Sequence, residues 1–218
     1  MRINVLTLFP EMFSAITDSS IPGRAVESGI LDVRLINIRD YSTDKHKKTD
    51  DSPFGGGAGM VMTAEPVFRA LEEIGTTGKR LLFMSPQGKV LDYSKVTELS
   101  LENELTVICG RYEGVDQRIL DYWQPEEISI GDYILTGGEL AAMVMIDAVV
   151  RMIPNVLGDS RSALGESVYS GLLEYPQYTK PREYRGMTVP EVLLNGNHEL
   201  INLWNFEQSL LLTKKRRP

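Results

Sequence analysis

The stretch "SIGDYILTGGEL", Ser129 to Leu140, decides how this chain is read. It sets Gly131, Gly137 and Gly138 around an apolar "DYIL" and runs into the oily "LAAMVMIDAVV". Glycine weakens a strand and loses more entropy on folding than other residues, so a cluster of it needs a reason. Two reasons stand open at this point: a pair of tight turns, or a pocket wall where backbone approaches a ligand closely. The following segment, 139–153, is apolar nearly all round, so its helix must be buried on most of its surface. A second subunit would supply the missing cover.

Working outward, four runs are nearly continuous in apolar residues: "RINVLTLF" (2–9), "VRLINI" (33–38), "RLLFMS" (80–85) and "LTVICG" (105–110). Strands buried on both faces read this way. "EISI" (127–130) is a candidate fifth strand. Helical patterns separate the runs: "PEMFSAIT" opening on Pro10, "AEPVFRALEEIG" after Thr63, and "YSKVTELSLEN" after Asp92. Alternating strands and helices predict an α/β domain with a mostly parallel sheet. After Pro154, "GDSRSALGES" (158–167) reads as a flexible linker. "VPEVLLNG", with Pro190 early and Gly196 at the stop, and "HELINLWNFEQSLLL" then predict helices, the latter with a stripe of Leu200, Leu203, Trp204 and Leu211. The expected organisation is an α/β domain over 1–158, a linker over 159–168 and a small all-helical domain over 169–218.

The 218 residues suffice for one or two domains, and the net charge is -7. The charge is uneven: residues 1–157 carry an excess of eight negative charges, and 158–218 an excess of one positive, ending in "KKRR" at Lys214 to Arg217. A basic tail on an acidic body is weak evidence for RNA, and a solvated terminus explains it as well. The single cysteine, Cys109, excludes an internal disulfide and a Cys-rich zinc site and fits a reducing compartment. The start "RINVLTLFPEMF" lacks the shape of a signal peptide, and the oiliest run is broken by Asp147 and too short to span a bilayer. A cytoplasmic protein without a membrane partner is expected. No P-loop, nucleophile elbow or H-E-x-x-H is present, and "GGGAGM" (55–60) lacks dinucleotide-site spacing. His46, in polar "DKHKKTDD", reads as solvated, with contact to a substrate as the alternative.

What remains are glycine-bearing loops after strands: "MSPQGK", "CGRYEG" and "SIGDYILTGGE". Ligands in open α/β sheets bind outside the carboxyl ends of the strands, so three such loops predict one pocket. Together with "DDSPFGGGAGM", "EYPQYTKP" and "VPEVLLNGNH", these loops resemble the bacterial tRNA (guanine-N1)-methyltransferases, the TrmD family of the SPOUT superfamily, in the same order from Met1 to Pro218. The resemblance implies a deep trefoil knot on the carboxyl side of the α/β domain, which pattern reasoning would not have proposed because knots are nearly absent from proteins. It also implies a homodimer that methylates N1 of guanosine 37 in tRNA, beside the anticodon, using S-adenosyl-L-methionine (AdoMet).

By this resemblance AdoMet would lie bent among the three loops. Gly110, Gly131, Gly137 and Gly138 would admit backbone to the ligand, Ile130, Tyr133 and Leu135 would form apolar walls, Pro86 and Gly88 would close another side, and Glu113 would face the sulfonium or a base edge. Guanine N1 must lose a proton while negative charge builds on O6, which calls for a base and a cation. Arg151 matches the family's cation, although an i,i+4 pair with Asp147 also accounts for it. The base position holds Glu166 where the family usually has Asp, with Asp159 as the fallback. Arg182, Arg185, Lys214 and Lys215 are candidate phosphate contacts. Magnesium is described for the family, but the sequence offers no metal cage. The alternatives are a knotted enzyme acting on another tRNA or ribosomal RNA position, which the "EYPQYTKP" and "VPEVLLNGNH" segments disfavour, and a non-enzymatic RNA-binding module.

Overall fold

The structure, a computed structural model, describes residues 1–157 and 171–217. The chain divides into two compact units, Met1–Gly158 and Asp159–Pro218. In the first, β1 (Arg2–Thr7), β2 (Asp32–Asn37), β5 (Arg80–Val90), β6 (Glu104–Cys109) and β7 (Glu126–Ser129) form one sheet in the order β2-β1-β6-β5-β7. Every pairing in it is parallel. The short strands β3 (Asp50–Asp51) and β4 (Val61–Met62) make a separate antiparallel pair.

In β1, β6 and the body of β5 the continuous apolar runs form strands because side chains alternate between two buried faces, whereas β2, expected to be buried in the same way, is an edge strand and largely exposed. On one face, Val5, Leu82, Met84, Val107 and Ile128 join a core completed by α2 (Ser20–Glu27), α4 (Tyr93–Ser100) and α6 (Gly138–Val150). On the other, Leu6, Leu81, Phe83 and Ile108 pack with α3 (Ala64–Ile74) and α5 (Gln117–Trp123). Asp92 caps α4 by accepting the N–H of Lys95 at 2.8 Å. Thr63 stands at the N-cap of α3 without a side-chain cap bond, and Gly75 closes that helix in the left-handed region. Pro10–Phe13 is a 3-10 turn leading into α1 (Ser14–Thr17). No helix among the described residues is long and apolar enough to cross a membrane.

β5 runs five residues beyond the expected end at Ser85, and its tail has structural consequences. Ile128 of β7 pairs with Met84 on the body of β5 and with Lys89 on its tail. A strand residue has one hydrogen-bonding edge on each side, so β5 clasps β7 between its two limbs and covers an edge that would otherwise be open. Leu91 N–H continues the clasp to Ser129 O at 2.8 Å. Gly88 makes it feasible: a Cβ there would lie 2.5 Å from both Glu127 O and Ile128 N.

The second unit differs from the expected all-helical domain. Glu183–Tyr184 (β8) and Met187–Thr188 (β9) form a two-stranded hairpin. Arg185 and Gly186 turn it with φ of 52° and 76°, the positive values that a tight two-residue hairpin turn demands. "VPEVLLNG" yields only a 3-10 turn, Glu191–Leu193, before α7 (His198–Arg216). The Asn197 side chain caps α7 by accepting the N–H groups of Glu199 and Leu200. Thr213 Oγ1 accepts the N–H of Leu173 at 2.7 Å, tying the start of the described unit to the end of this helix. The expected linker, with Asp159 and Glu166, lies outside the described residues.

Two expectations follow. Gly88→Ala forces backbone against backbone, which should cost about 3 kcal/mol or more, the upper end of overpacking, and lower Tm by roughly 6–12 °C in calorimetry. A second concerns acid. Burial pushes the Glu126 carboxyl up while hydrogen bonds from Lys95 and Arg80 pull it down, leaving it below its ordinary 4.5. A depressed carboxyl adds stability that is complete above the unfolded pKa and is lost as pH falls through the folded one. The stability gap between wild type and Glu126→Gln, measured in urea, should therefore be constant at neutral pH and close below about 4.5.

Candidate active site

The middle of β5, where its body ends, and the carboxyl ends of β6 and β7 open into a cleft of about 340 Å³. Ligand pockets begin at roughly this size. Three segments line it: Met84–Pro86, where the body of β5 passes into its tail, Gly110–Gly114 after β6, and Ile128–Gly131 with Tyr133–Gly138 from the end of β7 to the start of α6, together with Ala141 of α6. Of the residues expected at the cofactor, Pro86, Gly110, Glu113, Ile130, Gly131, Tyr133, Leu135, Gly137 and Gly138 all line this one cleft. Gly88 does not. It sits behind the wall, pressed on the Glu127 backbone, because its place in the β5 tail faces β7.

The walls are held by backbone contact. Gly138 N–H donates to Gly110 O at 2.8 Å, and Arg111 and Gly137 form an antiparallel bridge. A Cβ on Gly138 would lie 3.0 Å from both Cys109 Cα and Gly110 N. One on Gly137 would lie 2.5 Å from Arg111 Cδ and 2.6 Å from Glu139 Oε2. These two glycines therefore exist first for the contact between the β6 exit and the start of α6. Ser129 Oγ accepts the Gly131 N–H at 3.1 Å, and the Tyr133 hydroxyl donates to Ile130 O at 3.3 Å, which shapes the third segment.

Beneath the cleft lies a charged pair that sequence reasoning missed. Glu139, in the first turn of α6, is fully buried. Its Oε2 accepts from Arg111 Nε at 3.0 Å and its Oε1 from Thr7 Oγ1 at 2.9 Å. Position near a helix N-terminus also favours an anion. Arg111 reaches further: Nη1 donates to Thr136 O at 3.2 Å, and the guanidinium lies 4.2 Å from the centre of the Phe9 ring. The signal was a lone acid at the head of an apolar helix, in "GGELAAM". Next to the pair, burial pushes the Cys109 thiol well up, the Glu139 charge adds to this, and Arg111 opposes it.

Other expected site residues lie elsewhere. Arg151 forms the C-cap of α6 and is half-buried. It does not line the cleft. Ten residues separate it from Ala141, roughly 15 Å along a helix axis. Arg182, Arg185, Lys214 and Lys215 are exposed on the second unit. Glu166 lies outside the described residues. Among the described residues, no group of three His, Cys, Asp or Glu side chains could hold a metal ion.

A family profile described as tRNA (guanine-1)-methyltransferase TrmD matches residues 1–218. The chain belongs to this family. It is 53% identical over 220 residues to the tRNA (guanine-N(1)-)-methyltransferase of Geobacillus kaustophilus (strain HTA426), covering all of this chain and 90% of that one. The protein of the same name from Clostridioides difficile (strain 630) is 51% identical, with 100% and 96% covered. That from Carboxydothermus hydrogenoformans is 55% identical, with 100% and 86% covered. Both units therefore fall within the match.

Arg111→Met should test the buried pair, since a buried charge robbed of its partner costs about 3–5 kcal/mol. Urea unfolding should show that loss in the single variant and substantial recovery in Arg111→Met with Glu139→Leu. Equal instability of the single and double variants would show that the pair itself does not hold the site together.

Proposed function

We propose that the protein transfers the methyl group of AdoMet to N1 of guanosine 37 in tRNA. The observation that carries this reading is the cleft at the middle of β5 and the ends of β6 and β7, in a chain matched throughout by a tRNA (guanine-1)-methyltransferase family. The residues present suit AdoMet. Ile130 and Leu135 offer apolar walls, Pro86 closes a side, and the five lining glycines bring backbone to the surface. Glu113 at the rim places a carboxylate where positive charge is to be held. When bound, AdoMet supplies an electrophilic methyl on a sulfonium. Gly88 serves indirectly, by letting β5 clasp β7.

A carboxylate must take the N1 proton and a cation must meet the charge growing on O6. Glu166 is assigned as the base, with Asp159 the fallback, and Arg151 as the cation. Roughly 15 Å of helix between Ala141 and Arg151 is more than an arginine side chain spans, so the arginine serving one cleft comes from a second copy. Leu140 and Val144, 47% and 51% exposed on a helix as apolar as α6, support such a homodimer. The clasp of β7 by β5, and the return of the chain from β7 to Gly110, support the trefoil-knotted SPOUT path. Arg182, Arg185, Lys214 and Lys215 of the second unit are assigned to tRNA phosphates. Within that unit, residues 169–218 are the tRNA-binding domain, preceded by a linker at 159–168. No protein ligand is assigned to magnesium.

A tRNA transcript incubated with the protein and labelled AdoMet, then digested for nucleoside mass analysis, should yield 1-methylguanosine from position 37. A transcript with adenosine there should stay unlabelled, and label elsewhere would point to another knotted methyltransferase specificity. In single turnover, Glu166→Gln should slow methylation by about 10²–10⁴, the usual span for loss of a general base, with AdoMet and tRNA affinity kept. Asp159→Asn should remain near the wild-type rate; the reverse ranking would move the base to Asp159. Arg151→Lys should be slow despite its charge, since an ammonium lacks the planar fork.

A further inference from the structure

Phe54 stands clear of the protein, with an exposure of 104%, while no other large apolar side chain among the described residues exceeds 80%. It sits in the loop joining β3 to β4, after Pro53 and before Gly55, Gly56 and Gly57, whose φ values are 87°, 80° and 129°. Such a run favours glycine and costs conformational entropy. The loop buries no apolar ring in return, so stability of the free subunit does not explain it.

The base of the loop is fixed to the cleft. Glu113 N–H donates to Met60 O at 3.0 Å, and Met62 N–H donates to Gly114 O at 2.9 Å. Gly59 rests on the Glu113 side chain, where a Cβ would fall 2.6 Å from Oε1. The Tyr112–Gly114 wall and the Phe54 loop thus form one lip at the mouth of the site. On the other flank, Asp51 pairs with Lys48 at 3.1 Å. Three residues separate Phe54 from Asp51, at most roughly 11 Å of chain.

Lys45, His46, Lys47 and Lys48 are all exposed on that flank of an acidic unit. Asp40 answers Lys47 at 2.8 Å and Asp51 answers Lys48. The Asp44 carboxylate is occupied by the backbone N–H groups of His46 and Lys48, which hold it below its ordinary range. Lys45 has no ion pair among the described residues, so its exposed ammonium is available to an anion. An exposed aromatic ring beside basic residues is the pattern that grips unpaired nucleic acid, because every base offers a face for stacking.

We propose that Phe54 stacks on an unpaired base of the RNA at the mouth of the cleft, with Lys45 beside the RNA backbone. This rests on the tRNA reading above. A guanosine drawn out of the anticodon loop leaves neighbouring base faces uncovered, and a ring on the cleft's lip can replace the lost stacking.

The test uses the full chain with a tRNA transcript bearing G37, in filter binding with S-adenosylhomocysteine present. Phe54→Ala should weaken tRNA binding by about 5- to 100-fold, the usual loss for one stacked base. Phe54→Leu should be nearly as weak, since it keeps apolar bulk without the ring, and Phe54→Trp should restore affinity. AdoMet affinity by calorimetry and mass by light scattering should match wild type in all three. Wild-type tRNA affinity in Phe54→Ala would overturn the proposal. Full rescue by leucine, with a change of mass in the alanine variant, would instead assign Phe54 to contact with a second copy. If the wild-type protein binds no tRNA, the functional reading falls as well, whereas an unaffected alanine variant of a tRNA-binding protein removes the Phe54 inference alone.

Discussion

The ion pair of Arg111 and Glu139 holds the other parts of the cleft in place. α6 is apolar on almost every side, and an apolar helix alone has little to fix its rotation or its depth against a sheet. A buried carboxylate removes that freedom, because burying a charge is costly unless it is paired and hydrogen-bonded. Glu139 meets Arg111 on one oxygen and Thr7 on the other, so the helix start is fixed to the ends of both β6 and β1. Arg111 in turn holds the carbonyl of Thr136 and lies over Phe9. The β6 exit, the approach to α6 and the N-terminal turn thus meet at one guanidinium, and the cleft is the space left above it.

This pair also explains the glycines that frame α6. Gly137 and Gly138 lie where two stretches of backbone touch, and a side chain at either would meet the protein before it met a ligand. Turn and ligand wall, the two reasons open from sequence, are both incomplete. Close contact between segments produces the thin wall, and a thin wall brings backbone polar groups to the cleft. Gly88 follows the same rule behind the cleft, where β5 bends back around β7. The β5 clasp and the α6 start are thus built with one device at two depths.

Much of the α/β unit was legible because the central strands β1, β6 and the body of β5, buried on both faces, leave unbroken apolar runs; β2 has a similar run although it lies exposed at the sheet edge. The failures have physical causes. The tail of β5, "PQGKV", contains Pro and Gly, which argue against a strand, yet there they permit the strand to bend around β7. α2, "SIPGRAVE", hides its helix behind the same two residue types, and α5 has only seven residues in which to show a period. The 183–188 hairpin could have been read from its "RG" turn, but two-residue strands carry no alternation. At the site, glycine loops after strands identified the cleft. Arg111 stayed hidden because an arginine in a loop ordinarily reads as solvated, and only the fold brings it to Glu139. Arg151 was expected at the site, but it stands at the C-cap of α6, away from the residues that line the cleft, and that displacement could not be read from the sequence. The identity of the cofactor and of the target base came from family resemblance, since spacing cannot distinguish one adenosyl ligand or one nucleotide from another.

The charge distribution and the Phe54 lip point to a consistent way of choosing RNA. A unit with eight excess negative charges repels a polyanion at long range, so non-specific RNA is held weakly. On the proposed function, attraction comes from a few exposed basic groups: the lysines before β3, the arginines of the 183–188 hairpin region and the basic last turn of α7. Phosphate contacts position an RNA without reading it. Discrimination falls to what happens at the cleft, where a base must leave its stack to enter. If Phe54 stacks as proposed, it lowers the cost of that step only for RNA whose bases are already unpaired, which favours a loop over a duplex. An acidic body with sparse cations, and a Phe54 that stacks as proposed, would thus reject most of the RNA it meets and retain a loop presented at the cleft.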